Sequence, residues 1–254
     1  MSEALAGLHR PYRVASIRLE NAATRTLVLD RSLAADPGQF VMAWLPDVGE
    51  KPFSLAGADP VCLTVAAVGP FSRALHTLAV GDRIWLRGPL GRGFAPPSPA
   101  GHALLVGGGY GVAPLRFLAE RLLAAGWHVS AIVGARRAAD LLLVEALAAL
   151  GVRLWLTTED GSVGLRGLAT DAFDAALTAA PEARTTVFAC GPVGMLAAVA
   201  ALCRTRGLPV QLAWEAHMRC AVGLCGSCEV GAGWLTCLDG PVFPCDPTVA
   251  LPMG

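Results

Sequence analysis

The run Cys220-Ala-Val-Gly-Leu-Cys225-Gly-Ser-Cys228, followed by Cys237 in Thr236-Cys-Leu-Asp-Gly-Pro-Val-Phe243, constrains this chain more than any other stretch. The C-x4-C-x2-C spacing with a fourth Cys downstream is the plant-type [2Fe–2S] pattern, in which a tight loop wraps the cluster and a separate segment closes it. Gly223 and Gly226 let backbone amides approach the sulfides. Structural zinc is the chemical rival, but zinc sites usually come as two short-spaced pairs, and here one run holds three cysteines. Cys245 is a second candidate for the closing ligand. Glu215 and His217 precede the loop, and a Rieske-like site needs two histidines where only one is near.

The chain has eight cysteines in 254 residues, below the density of a disulfide scaffold, and their clustering fits a reducing compartment. Cys62 and Cys203 read as ordinary buried small hydrophobes. Twenty basic and twenty acidic residues cancel, which argues against nucleic acid as the partner. The N-terminus shows no apolar h-region behind a basic start, and apolar runs such as Met195 to Cys203 fall short of a bilayer span. The expectation is a soluble, cytoplasmic protein without a membrane partner.

Three segments are expected: 1–97, 98–213 and 214–254. In the first, short apolar runs at Tyr12–Leu19, Thr26–Leu29, Gln39–Ala43, Val61–Ala67 and Arg83–Arg87 alternate with Gly, Pro and Asp turns, which predicts a small antiparallel β-barrel with one helix at Arg73–Ala79. Ala95-Pro-Pro-Ser-Pro-Ala100 reads as a stiff linker. From Ala103 apolar strands alternate with amphipathic helices, which predicts a parallel sheet with helices on both faces. Gly126 and Gly151 follow helix ends, as left-handed C′ residues do.

Two turns of the second segment carry binding chemistry. Gly107-Gly-Gly-Tyr-Gly-Val-Ala-Pro-Leu115 lets the backbone approach a pyrophosphate, and the helix opened by Pro114 presents free amides. Its spacing is not G-x-G-x-x-G, and a turn that merely packs helix on sheet is the plain alternative. Ala189-Cys-Gly-Pro192 opens another helix at the same sheet edge, where ligands of open parallel sheets gather. Arg136-Arg137 reads as a solvated loop rather than a 2′-phosphate site. In the first segment, Lys51-Pro-Phe-Ser54 offers hydrogen bonds and a flat apolar face, and a helix start at Ser72 suits phosphate, although such residues are commonplace.

Together with Gly88-Pro-Leu-Gly-Arg-Gly-Phe94 and Thr158-Glu-Asp-Gly-Ser162, these motifs resemble, in order and spacing, the ferredoxin reductase superfamily. Within it the chain is most similar to the electron-transfer subunits of two-subunit dihydroorotate dehydrogenases. The resemblance implies FAD on the barrel, held by Lys51, Pro52, Phe53, Ser54, Val65, Ala66, Ala67, Phe71 and Ser72. It implies NAD on the α/β segment at Gly108, Gly109, Gly111, Ala113, Pro114, Asp160, Gly161, Cys190, Gly191 and Pro192. A [2Fe–2S] cluster then falls to Cys220, Cys225, Cys228 and Cys237. Cys190 reads equally well as a group beside the nicotinamide and as a buried strand-end thiol.

The implied work is electron transfer between a catalytic FMN-containing dehydrogenase subunit and NAD in pyrimidine biosynthesis, as a heterotetramer, with no side-chain catalyst. The flavin subunit of a cytoplasmic hydrogenase or sulfhydrogenase shares these motifs, and a zinc-stabilised, non-enzymatic binding module is the reading from another class. The chain departs from the superfamily at three flavin positions. Lys51, the only lysine, replaces Arg and loses its planar fork; Ala66 replaces a basic residue, and Phe71 replaces Gly.

Overall fold

The computed structural model describes residues 7–179, 184–231 and 233–245. The first segment forms β1 (Arg10–Asn21), β2 (Thr24–Leu29), β3 (Phe40–Leu45), β4 (Gly49–Ser54), β5 (Gly57–Ala58), β6 (Val61–Ala66), α1 (Pro70–His76) and β7 (Arg83–Leu90). The strands pair antiparallel in the order β4-β3-β7-β1-β2-β6-β5 and curl around one apolar core that includes Val14, Leu27, Val41, Leu63, Val65 and Ile84. The helix begins three residues before its expected start, because Pro70 pre-sets the first helical φ and the Ser72 hydroxyl accepts from the Gly69 amide.

Strand β3, Phe40-Val-Met-Ala-Trp-Leu45, shows why an alternating pattern is absent there. Val41, Ala43 and Leu45 face the barrel core, whereas Phe40 and Met42 pack outward against the cysteine segment. Both faces are covered, so both are apolar.

The second sheet comprises β8 (His102–Gly108), β9 (His128–Ala135), β10 (Arg153–Thr158), β11 (Leu165–Arg166), β12 (Thr185–Cys190), β13 (Val210–Ala213) and β14 (Val242–Cys245). Its helices are α2 (Val112–Ala124), α3 (Val144–Ala149), α4 (Phe173–Thr178) and α5 (Val193–Arg206). The order is β11-β10-β9-β8-β12-β13-β14. All pairs are parallel except the last, so the expected parallel sheet carries an antiparallel edge. That edge strand comes from beyond the cysteine loop, which is therefore clamped at both ends by the sheet. Residues of α2 and α3 cover one face, and residues of α4 and α5 cover the other. Strand order reverses between β8 and β12, the switch point at which such sheets bind ligands.

The two sheets meet through side chains. Phe117 of α2 joins the barrel core, and Ala56 and Cys62 of the barrel join the core under α2.

Candidate functional site

At the switch point the turns after β8 and β12 touch. A Cβ on Gly111 would strike the carbonyl of Cys190, and one on Gly108 would meet Met195 and Pro192. Gly109, at φ +54°, opens a tight 3-10 turn that leads into α2. Val112 is therefore the first helical residue, and Pro114 lies in the first turn rather than opening it. Glycine here answers to backbone packing, and the packing leaves the free amides of α2 at the sheet edge.

Between this edge and the barrel lies a cleft of about 400 Å³. Lys51 to Ser54 line one side, Ala66, Phe71 and Ser72 the floor, and Gly111, Ala113, Pro114 and Cys190 the other side. Phe53 and Phe71 form a ring pair 6.1 Å apart, an apolar wall suited to a flat ligand. The indole N–H of Trp214, which also lines the cleft, is buried and lacks a hydrogen-bond partner among the described residues. Flat apolar walls, an orphaned donor and close-packed glycines fit a flavin meeting a nicotinamide. Burial pushes the Cys190 thiol far above its usual range, so it stays neutral. Glu215 is exposed to the cleft, yet partial desolvation holds its carboxyl above the ordinary range, against a hydrogen bond with Tyr110 that lowers it.

The cysteine loop, from Met218 to Gly240, has no helix and only the Glu229–Leu235 bridge among its described residues. Its thiols stand as two pairs. The Cys228 and Cys237 sulfurs are 3.3 Å apart and buried, while Cys225 takes hydrogen bonds from Cys220 near the surface. Two pairs suit two irons better than a single zinc tetrahedron. The Leu224 amide donates to the Cys220 sulfur at 3.3 Å, as backbone amides do around sulfur-ligated clusters. The Ser227 hydroxyl beside Cys225 lowers its thiol, whereas desolvation raises that of Cys237. Ala221 sits at φ +56°, a left-handed conformation that an alanine adopts only under constraint.

Not every expected residue reaches the cleft. Val65 points into the barrel core, and Ala67 bonds through its amide to Ala23. Gly108, Gly109, Gly191 and Pro192 lie on the neighbouring turns. Asp160 and Gly161 sit farther along the same edge, where the Asp160 carboxylate accepts from the Ser162 amide at 2.9 Å. Ser72 does line the cleft, but it is largely buried and its hydroxyl is committed to Gly69. Arg137 pairs with Asp140 in the exposed loop, and the side chain of Cys245 lies outside the described residues. Sequence reasoning missed Phe40 and Met218, which line the cleft and also pack with Cys228 and Cys237. It also passed over Tyr110, which lies inside the glycine motif, and Trp214, which precedes Glu215.

An antiparallel barrel joined to a doubly wound sheet, with a cleft at the switch point, defines an oxidoreductase of the ferredoxin reductase type. One solved structure, described as giving insights into flavin-based electron bifurcation in an NADH-dependent reduced ferredoxin-NADP oxidoreductase, superposes with a TM-score of 0.82 at 28% identity, covering 92% of this chain and 87% of that one. A carbazole 1,9a-dioxygenase ferredoxin reductase shares the fold, with a TM-score of 0.69 at 20% identity, over 81% of this chain and 68% of that one. The oxidoreductase NAD-binding domain matches residues 105–201, and the iron-sulfur cluster binding domain of dihydroorotate dehydrogenase B matches 215–248.

A probable dihydroorotate dehydrogenase B (NAD(+)) electron transfer subunit from Methanopyrus kandleri is 41% identical over 225 residues, 86% of this chain and 84% of its own. Its namesake from Thermococcus kodakarensis is 42% identical over 215 residues, covering 85% and 87%. The chain belongs to the family of dihydroorotate dehydrogenase B electron-transfer subunits. Among the described residues no helix is long and apolar enough to cross a membrane.

Proposed function

We propose that this chain passes electrons between an FMN-containing dihydroorotate dehydrogenase subunit and NAD⁺, through a [2Fe–2S] cluster and FAD, in the cytoplasm and as part of a heterotetramer. One observation carries the reading: Phe40 and Met218 are at once cleft wall and cysteine-loop core, so a single layer of side chains separates the two sites. Bound FAD supplies the exchange between the two-electron chemistry of nicotinamide and the one-electron chemistry of the cluster.

The chain's own residues bind and orient. Lys51 to Ser54 edge the flavin position, and Phe53 with Phe71 exclude water from its face. The turns at Gly108 to Gly111 and Gly191-Pro192 receive the dinucleotide at the amides of α2. Asp160 and Gly161 line its path along the sheet edge. Cys190, held neutral, fills the space beside the nicotinamide without adding charge. Cys220, Cys225, Cys228 and Cys237 hold the cluster. Around it Leu224, Val222, Trp234 and Leu238 are exposed, and Leu224 is 85% open, a display of apolar side chains suited to a protein partner.

The test is anaerobic purification followed by iron, sulfide, zinc and released-flavin assays, with NADH titration of the visible spectrum. Two irons and one FAD per chain, both bleached by NADH, are expected. Zinc without flavin would overturn the reading. Co-purification with the FMN subunit identifies the partner.

A further inference from the structure

We propose that the paired charges of Arg87 and Glu50 bias the reduction potential of the cluster in opposite senses, with Arg87 as the positioning residue that ties the Cys220 turn to the barrel. The inference rests on the assignment of a [2Fe–2S] cluster to the four cysteines.

Arg87 lies on β7 opposite Met42 and is only 8% exposed. Its Nε donates to Glu50 Oε1 at 2.6 Å and its Nη2 to Glu50 Oε2 at 3.1 Å, reaching across β3 to β4. The same Nη2 donates to the Cys220 carbonyl at 2.9 Å. Glu50 also bonds to His9 at 2.8 Å. Burial favours the neutral Glu50 acid, but the hydrogen bonds from Arg87 and His9 outweigh it and keep the carboxyl below its ordinary range.

Stability does not explain a guanidinium at this place. Around it the outer barrel face is apolar, with Phe40 and Met42 packed on Met218 and Ala221. Replacing a buried ion pair by apolar residues of similar volume is often neutral or stabilising. The guanidinium instead sits one carbonyl away from a cluster ligand. Reducing a cluster adds one negative charge to the loop, so a fixed positive charge there favours the reduced form and the Glu50 carboxylate opposes it. Arg87 is buried and little screened, whereas the Glu50 side chain, 23% exposed, is screened in part. Substitution of either partner therefore shifts the potential, in opposite directions.

The test is an EPR-monitored redox titration of the full chain, purified anaerobically with its cluster and flavin. Arg87→Gln is expected to disfavour reduction by about three- to tenfold, tenfold being 59 mV for one electron. Glu50→Gln is expected to favour reduction by a similar factor, and the double variant to fall back near the parent. Arg87→Lys keeps the charge but loses the fork, and is expected to stay within about twofold. Should Arg87→Gln fail to fold, Glu50→Gln still decides, because its shift must be upward. Unmoved potentials with intact clusters, or shifts of both single variants in one direction, overturn the proposal. A parent chain without iron overturns the cluster assignment beneath it.

Discussion

The glycine turns at the sheet edge and the cysteine loop are both short, glycine-bearing and close to the cleft, yet they are held in opposite ways. At Gly111 backbone meets backbone: strands fix both turns, no space remains for a Cβ there, and Gly107 and Gly108 abut the side chains of Val112, Met195 and Pro192. In the loop, Gly223 abuts only the flexible Leu238 side chain, Gly226 at φ +69° faces open space, and the shape depends on thiol pairs, a few hydrogen bonds and the end clamps of β13 and β14. The dinucleotide site is therefore shaped by the fold before any ligand arrives, whereas the cluster site needs its metal to complete it.

The sharpest way to break this contrast is to remove the metal. Cys228→Ser, or chelation of iron, is expected to abolish electron delivery to the partner subunit while leaving flavin reduction by NADH. Hydrogen exchange is expected to show protection lost across 218–240 and retained in β8 and β12. Loss of protection in both regions would mean that the two sites do not differ. The second blow falls on the other side. Gly111→Ala is expected to destabilise the chain by about 1–3 kcal/mol and to raise the KM for NADH at least tenfold. Gly226→Ala bears only the left-handed penalty, about 1–2 kcal/mol, with the KM unchanged. Thermal melts and NADH kinetics of both variants check the pair.

Local features were legible in sequence, and distant pairings were not. The cysteine spacing marks its site because ligand geometry demands it, and the glycine turns do so because backbone approach demands it. Strand β14 escaped because Val242-Phe-Pro-Cys245 contains Pro244, and proline argues against a strand everywhere except at an edge, which is where β14 lies. The double-sided apolar character of β3 has no local cause: its outer face is covered by residues near Met218. Tyr110 and Glu215 form a hydrogen bond only after β8 and β13, on either side of β12, bring their turns together. The start of α2 was misplaced by two residues because a proline inside the first turn looks like one that opens it.

A smaller effect sharpens the contrast within the cleft. If its barrel side is preformed like the glycine turns, flavin affinity divides into separable contacts. Phe53→Ala, which removes the ring tilted against Phe71, is expected to weaken FAD by about tenfold or more. Lys51→Ala is expected to weaken it by up to about tenfold and Lys51→Arg hardly at all, since the charge is kept. Fluorescence titration of the deflavinated chain measures all three. Equal losses for Lys51→Ala and Lys51→Arg would assign the effect to packing rather than to charge.

The smallest expected effect concerns Glu215, which joins the two regions by standing between β13 and the cysteine loop. Burial raises its carboxyl above 4.5, so the folded chain retains a proton that the unfolded chain releases. Below pH 4.5 both states hold that proton and there is no penalty. As pH rises from there through the raised value, stability falls, and above that value the loss is constant. One proton accounts for at most about 1.4 kcal/mol per pH unit, and Glu215 is open to the cleft, so solvent screening leaves only part of this. Glu215→Gln is expected to flatten the fall in that window and to be the more stable chain above it. Urea denaturation at several pH values measures the slope, and parallel curves for parent and variant would show that the Tyr110 hydrogen bond, which favours the ionised form, cancels the cost of burial.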